Sequence, residues 1–178
     1  MTVACDSADN EYESDLSVAD EQSDEDMLSD EEILEEFKAL ARSFNAEVMD
    51  LALSLSNVGI FHMNSWNALN DAGETVDHES MLERGFEWLE ENNGMSREGV
   101  QNEFDRLSEK HFDLLDFPAS ALGGLDLQLE VAILFWYLES IHTTVTTPSG
   151  EVEDYAWEMS QFVVGITETH EELAELLS

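Results

Sequence analysis

Five histidines, one cysteine and 42 carboxylates are the side chains with which this 178-residue chain could do chemistry. A helical bundle can hold two irons when Glu-x-x-His pairs project from two helices together with two further glutamates. The chain supplies one such pair, Glu139 and His142; three residues ahead of His62, His78, His111 and His170 stand Gly59, Thr75, Ser108 and Thr167. Glu109 with His111, and Glu168 with His170, are two positions apart. Such pairs diverge by about 200° around a helix and cannot chelate from one face. There is no twelve-residue EF-hand loop, so calcium or magnesium would associate with the acids only weakly and unspecifically. No metal site is expected.

Nucleophilic chemistry fares no better. Cys5 sits in an acidic leader, there is no Gly-x-Ser-x-Gly elbow, and no placed partner for any histidine can be read from spacing. A Gly-x-x-x-x-Gly-Lys phosphate loop is absent, and Gly123-Gly124 lacks the rest of a dinucleotide fingerprint. Among so many acids, close carboxylate pairs arise by chance and carry no information about hydrolysis. The expectation is a chain without catalytic residues or cofactor.

Charge decides more. Six Lys and Arg against 42 Asp and Glu leave a formal net charge of -36. With no basic patch to neutralise phosphates, direct binding of nucleic acid or of an anionic membrane is excluded, and a charged partner must be cationic. Two causes for such acidity stand side by side. In molar salt the Debye length falls to roughly 3 Å, which screens crowded carboxylates and suits a halophile. Alternatively, the carboxylates are aimed at a target, imitating a phosphate array or steering onto a basic protein. The single cysteine forms no intrachain disulfide and fits a reducing cytoplasm. The opening MTVACDSADNEYESD has neither the cationic start nor the apolar core of a signal peptide. Residues 51–70 hold no Asp, Glu, Lys or Arg and are long enough to span a bilayer, but four Asn, three Ser and His62 interrupt them. Unpartnered amides in lipid cost several kcal/mol each, so this stretch reads as a protein-buried helix pair.

The elements that must position these groups read as all-α. Residues 1–37 carry fifteen carboxylates and no base. Little apolar periodicity appears before Leu28, which predicts a disordered acidic tail over 1–28 and one compact helical domain of five or six helices over 29–178. Ser29 with Glu32 forms a capping box ahead of Ile33, Phe37, Leu40, Phe44, Val48, Leu51 and Leu55, a helical stripe. A break or bend is expected near Gly59, with Phe61, Met63, Trp66 and Leu69 on the next segment. Asp77 caps a short helix bearing Leu82, Phe86 and Leu89, which Asn92, Asn93 and Gly94 stop. Ser96 starts a helix through Val100, Phe104, Leu107, His111 and Leu114, and Pro118 follows its end. Residues 123–147 alternate in part like a hairpin, yet two helical stripes run through VAILFWYL, which predicts a helix buried all round at the centre of the bundle. Val152, Tyr155, Met159, Phe162 and Ile166 form a further helix, and Thr169 with Glu172 a second capping box before a terminal EELAELL turn or helix.

Within this frame Phe104 to His111 closes a helix, Phe117-Pro118 makes a loop, and LDLQLEVAILFWYLE follows. That succession resembles the peptide-binding assembly chaperones for molybdenum oxidoreductases over the middle third of the chain. The Pro-Asp-His usual in that family ahead of the acidic helix is missing here. The resemblance implies a helical chaperone that binds a peptide.

Trp66, Trp88, Trp136 and Trp157 read as core or as the lining of a peptide groove. Trp88 lies off the stripe of Leu82, Phe86 and Leu89 and adjoins Glu87, Glu90 and Glu91, which predicts a ring facing solvent or a partner among carboxylates. Those four residues are the expected partner-binding site. The functional expectation is a non-catalytic adaptor, assembly chaperone or inhibitor for a basic or amphipathic protein segment. The alternative is a nucleic-acid mimic occupying the channel of a DNA- or RNA-binding enzyme. Any spare helical stripe allows a dimer, which charge repulsion opposes at low salt, so the sequence leaves the oligomeric state open.

Overall fold

The computed structural model describes residues 27–178 except Val76, so the acidic leader and Cys5 lie outside the described residues. Five helices follow one another: α1 Asp30–Asp71, α2 His78–Asn93, α3 Arg97–Leu115, α4 Asp126–Thr146 and α5 Val152–Leu176. No strand occurs among the described residues. The Ser29 hydroxyl accepts from the Glu32 backbone N–H at 3.3 Å while Glu32 accepts from the Ser29 N–H at 2.8 Å, completing the capping box. Asp77 caps α2 by accepting from Ser80 N–H, Ser96 caps α3 by accepting from Gly99 N–H, and Gly94 ends α2 at φ 71°. Each of these signals is local, and each stands where the sequence places it.

The long-range expectations needed correction. No break occurs near Gly59: α1 runs unbroken for 42 residues, about 63 Å, and residues 51–70 are its second half, not a helix pair. The glycine serves the crossing with α5. A Cβ there would lie 3.1 Å from the Tyr155 hydroxyl and 3.2 Å from Met159 Cε. Its helix cost of about 1 kcal/mol is offset by that close packing. The centre of the bundle is α1, which packs on α2, α3, α4 and α5. Helix α4 meets α1, α3 and α5 and buries Val131, Leu134, Leu138, Ile141 and Val145. Its other stripe, with Leu125, Leu129 and Trp136, is exposed because no helix among the described residues covers that side. The expected second capping box is also absent: Thr169 is buried inside a continuous α5 and donates to the Gly165 carbonyl at 2.9 Å. Buried Ile166, Leu173 and Leu177 carry the apolar repeat through the point where a break was expected.

Helices α1 and α5 run antiparallel. The Arg42 guanidinium donates to the Leu177 carbonyl at 2.5 and 3.1 Å, and Asn45 exchanges bonds of 3.0 and 2.9 Å with His170. Fourteen residues beyond Asn45 along α1, Gly59 meets Tyr155 and Met159. One contiguous apolar core runs from Phe37 and Phe44 of α1 through Leu82, Leu107, Leu134 and Ile166 to Leu177. Among the described residues no helix is long and apolar enough to cross a membrane.

Candidate protein-docking surface

Cations are scarce, and the fold uses them up on one side. Lys38, Arg42, Arg84, Arg97, Arg106 and Lys110 all belong to α1, α2 or α3, whereas residues 111–178 hold thirteen carboxylates and no Lys or Arg. Arg106 bonds Glu47 and Glu103, and Lys110 bonds Glu47 at 2.8 Å. Burial raises the Glu47 pKa, but hydrogen bonds from Lys110, Ser43 and Arg106 outweigh it and hold the carboxyl at about 2. On the other side the sign reverses. The Glu130 carboxyl is pushed up by burial and by the neighbouring charges of Glu172 and Asp126. Among the described residues no salt bridge reaches a carboxylate of α4 or α5.

The expected partner site on α2 is split. Glu87, Glu90 and Glu91 are exposed. Glu87 and Glu90 join Glu83, Phe86 and Arg97 around a shallow hollow of about 350 Å³ between α2 and α3. Arg97 bonds Glu79 at 2.8 Å and lies over the Phe86 ring at 5.5 Å. Trp88 is not part of this hollow and does not face solvent freely. It is half-buried, stacked on Phe61 of α1 with ring centroids 6.1 Å apart. The cause is Gly85, one turn earlier, whose missing side chain lets Val58 approach to 3.0 Å from a would-be Cβ and draws α2 onto α1. The freely exposed tryptophans are Trp136 at 53% and Trp157 at 66%. Trp157 lies off the stripe of Val152, Tyr155 and Met159 and adjoins Glu158, the same signal that drew attention to Trp88.

A second hollow, of about 240 Å³, lies between α1 and α5 and is almost wholly apolar: Gly59, Ile60 and Met63 face Ala156, Met159 and Val163, with Ser56 and Ser160 beside them. Nothing in the spacing of either helix alone announces it.

Four of the five histidines, His62, His78, His111 and His142, pack against aromatic rings, and His170 bonds Asn45. His62 Nε2 lies 3.1 Å from His78 Nδ1, with Trp66 stacked on His78 at 4.3 Å and Tyr155 on His62 at 5.3 Å. Burial, assisted by His78, lowers the His62 pKa to about 4. His111 stacks on Phe135 at 4.4 Å and His142 on Phe104 at 4.0 Å, and burial lowers both pKa values. Both ring nitrogens of His111 and Nε2 of His142 are buried without a hydrogen-bond partner. Glu139 is exposed on α4 while His142 points into this aromatic stack, so the one Glu-x-x-His pair does not converge. Among the described residues no three His, Cys, Asp or Glu side chains group closely enough to hold a metal ion. Comparison with protein-family models, with curated proteins and with solved structures finds no match to this chain.

Proposed function

We propose that the chain is a non-catalytic acidic protein-binding module, an adaptor, assembly chaperone or inhibitor, that engages a basic or amphipathic segment of another protein in the cytoplasm. The observation that carries this reading is the segregation of charge. Every Lys and Arg belongs to α1–α3, while α4 and α5 present carboxylates interspersed with exposed Leu125, Leu129, Trp136, Trp157 and Val164. Exposed apolar groups rimmed by like charge match a partner that carries apolar residues beside Lys or Arg. The acid surface also suits work in high salt, where screening leaves apolar contact as the principal attraction.

The test is a titration of the full chain against two labelled 18-residue peptides with identical lysines. One carries leucines at helical spacing and the other carries serines in their place. Fluorescence anisotropy at 0.2 and 2 M KCl is expected to show at least tenfold tighter binding of the leucine peptide, retained at the higher salt. Equal affinities that vanish together in 2 M KCl would reduce the surface to an unspecific polyanion and overturn the proposal.

A further inference from the structure

The uncharged stretch 51–70 is the anomaly of this sequence: in a chain of net charge -36, twenty consecutive residues carry no formal charge. Burial does not account for it. Leu53 is 53% exposed and Ile60 50% exposed on α1. They are seven residues apart and so on one face, about 10.5 Å from each other along the helix. On α5 the exposed apolar residues Trp157 and Val164 repeat the same spacing. The antiparallel register fixed by Asn45 with His170 and by Gly59 with Tyr155 sets Leu53 level with Val164 and Ile60 level with Trp157. Ile60 lines the apolar hollow of about 240 Å³ floored by Gly59, which runs from Ser56 to Met63 on α1 and from Ala156 to Val163 on α5, beside the levels of Trp157 and Val164, with room for one large apolar side chain.

We infer that the α1–α5 groove is the docking site of a cationic amphipathic helix from another protein, which sets one apolar side chain into the hollow over Gly59 and lays its neighbours on Leu53, Ile60, Trp157 and Val164. An apolar helix face with residues at i and i+7 matches the two levels of the groove. The charge around it chooses the partner. Asp50 precedes Leu53 by one turn, Glu153 precedes Trp157 by one turn, and Glu168 follows Val164 by one turn, all three exposed. No Lys or Arg occurs between Ser43 and Glu83 or anywhere on α5. A second copy of this chain would bring the same carboxylates against themselves. A helix with Lys or Arg flanking its apolar face meets opposite charge at both ends of the groove. This site rests on the proposed function and assigns it a place.

The experiment uses the full chain and the same leucine and serine peptides at 0.2 and 2 M KCl. The double variant Ile60→Ser with Trp157→Ser alters only exposed positions. Ser160→Phe fills the hollow from its exposed rim, so either variant can stand if the other fails to fold. Leu129→Ser with Trp136→Ser strips the exposed stripe of α4 as the comparison. Binding of the leucine peptide is expected to weaken tenfold or more in the groove variants and less than twofold in the α4 variant, with circular dichroism unchanged. Loss of binding in the α4 variant alone overturns the groove assignment and leaves the proposed function standing. A wild-type chain that does not distinguish the two peptides overturns the function itself. Sedimentation that shows a wild-type dimer dissociated by the groove variants makes the occupant a second copy and overturns the inference.

Discussion

Three histidines sit in places where a charged imidazolium is poorly tolerated. His62, His111 and His142 are packed against aromatic rings, and burial holds each below the ordinary 6.5, His62 at about 4. In the unfolded chain each takes up a proton near 6.5, whereas in the folded chain it does so only at lower pH. The unfolded state therefore binds more protons as pH falls below 6.5, and stability falls with it, by up to about 1.4 kcal/mol per pH unit for each histidine. For His62 the loss is complete once pH passes below about 4. Glu47, held at about 2, adds a loss of the same sign only below its ordinary 4.5. Between pH 7 and 5.5 the histidines act nearly alone. Urea unfolding across that window is expected to show stability declining with acid. His111→Phe, which keeps a ring on Phe135 and removes two unpartnered nitrogens, is expected to reduce the slope without lowering stability at pH 7. An unchanged slope in this variant would mean that His111 is protonated in the folded chain.

At the scale of elements, glycines mark the helix crossings, and at Gly165 and Gly59 their neighbours set opposite consequences for the same substitution. At Gly165 a Cβ would lie 2.3 Å from the Tyr137 ring, and an aromatic ring cannot deform to make room. Gly165→Ala is expected to cost about 1–3 kcal/mol through displacement of α5 from α4. At Gly59 the closest groups, at 3.1 and 3.2 Å, are a tyrosine hydroxyl and the flexible tip of Met159. There the helix-propensity gain of about 1 kcal/mol offsets the contact, so Gly59→Ala is expected to stay within about 1 kcal/mol of the parent. Chemical denaturation of both variants checks the pair, and equal losses would contradict the difference in packing. The same crossings explain what could be read in advance. Caps at Ser29, Asp77 and Ser96 are bonds within three residues and are legible from sequence. Gly59 resembles a break, and Thr169 with Glu172 resembles a start, because the contacts that override them come from a helix nearly a hundred residues away or are hidden in the same apolar repeat. The half-burial of Trp88 is hidden from the sequence for the same reason: its cover, Phe61, belongs to another helix. The exposed stripe of α4 could not be told from its buried one, since both are apolar and only the absence of a neighbour distinguishes them. Of the hollow between α1 and α5, the uncharged run 51–70 is legible in the sequence, and its pairing with Ala156, Met159 and Val163 is not.

For the whole molecule the governing quantity is the field of 42 acids against six bases, distributed so that all six bases stand on α1–α3 and none on α4 or α5. At 0.1 M salt the Debye length is about 10 Å, which leaves neighbouring carboxylates on that side in mutual repulsion; at 1 M it is about 3 Å and the repulsion is largely gone. Folding gathers these charges, so salt is expected to stabilise the folded chain, with the urea midpoint rising from 0.1 to 2 M KCl. Screening and the salting-out of apolar surface would both raise that midpoint, and a single substitution separates them. Glu172 is one of the charges that push the Glu130 carboxyl up, across the α4–α5 contact. Removing its charge in Glu172→Gln relieves that repulsion without adding a contact. It is expected to raise stability at 0.1 M by a few tenths of a kcal/mol, the scale of exposed charge pairs, and to change nothing at 2 M KCl. A benefit that persisted at 2 M would assign the effect to packing. A loss at both salts would mean that the Glu172 carboxylate makes a favourable contact in the folded chain, and the acidity of this side would then be a matter of structure and not of repulsion held in check by salt or by a cationic partner.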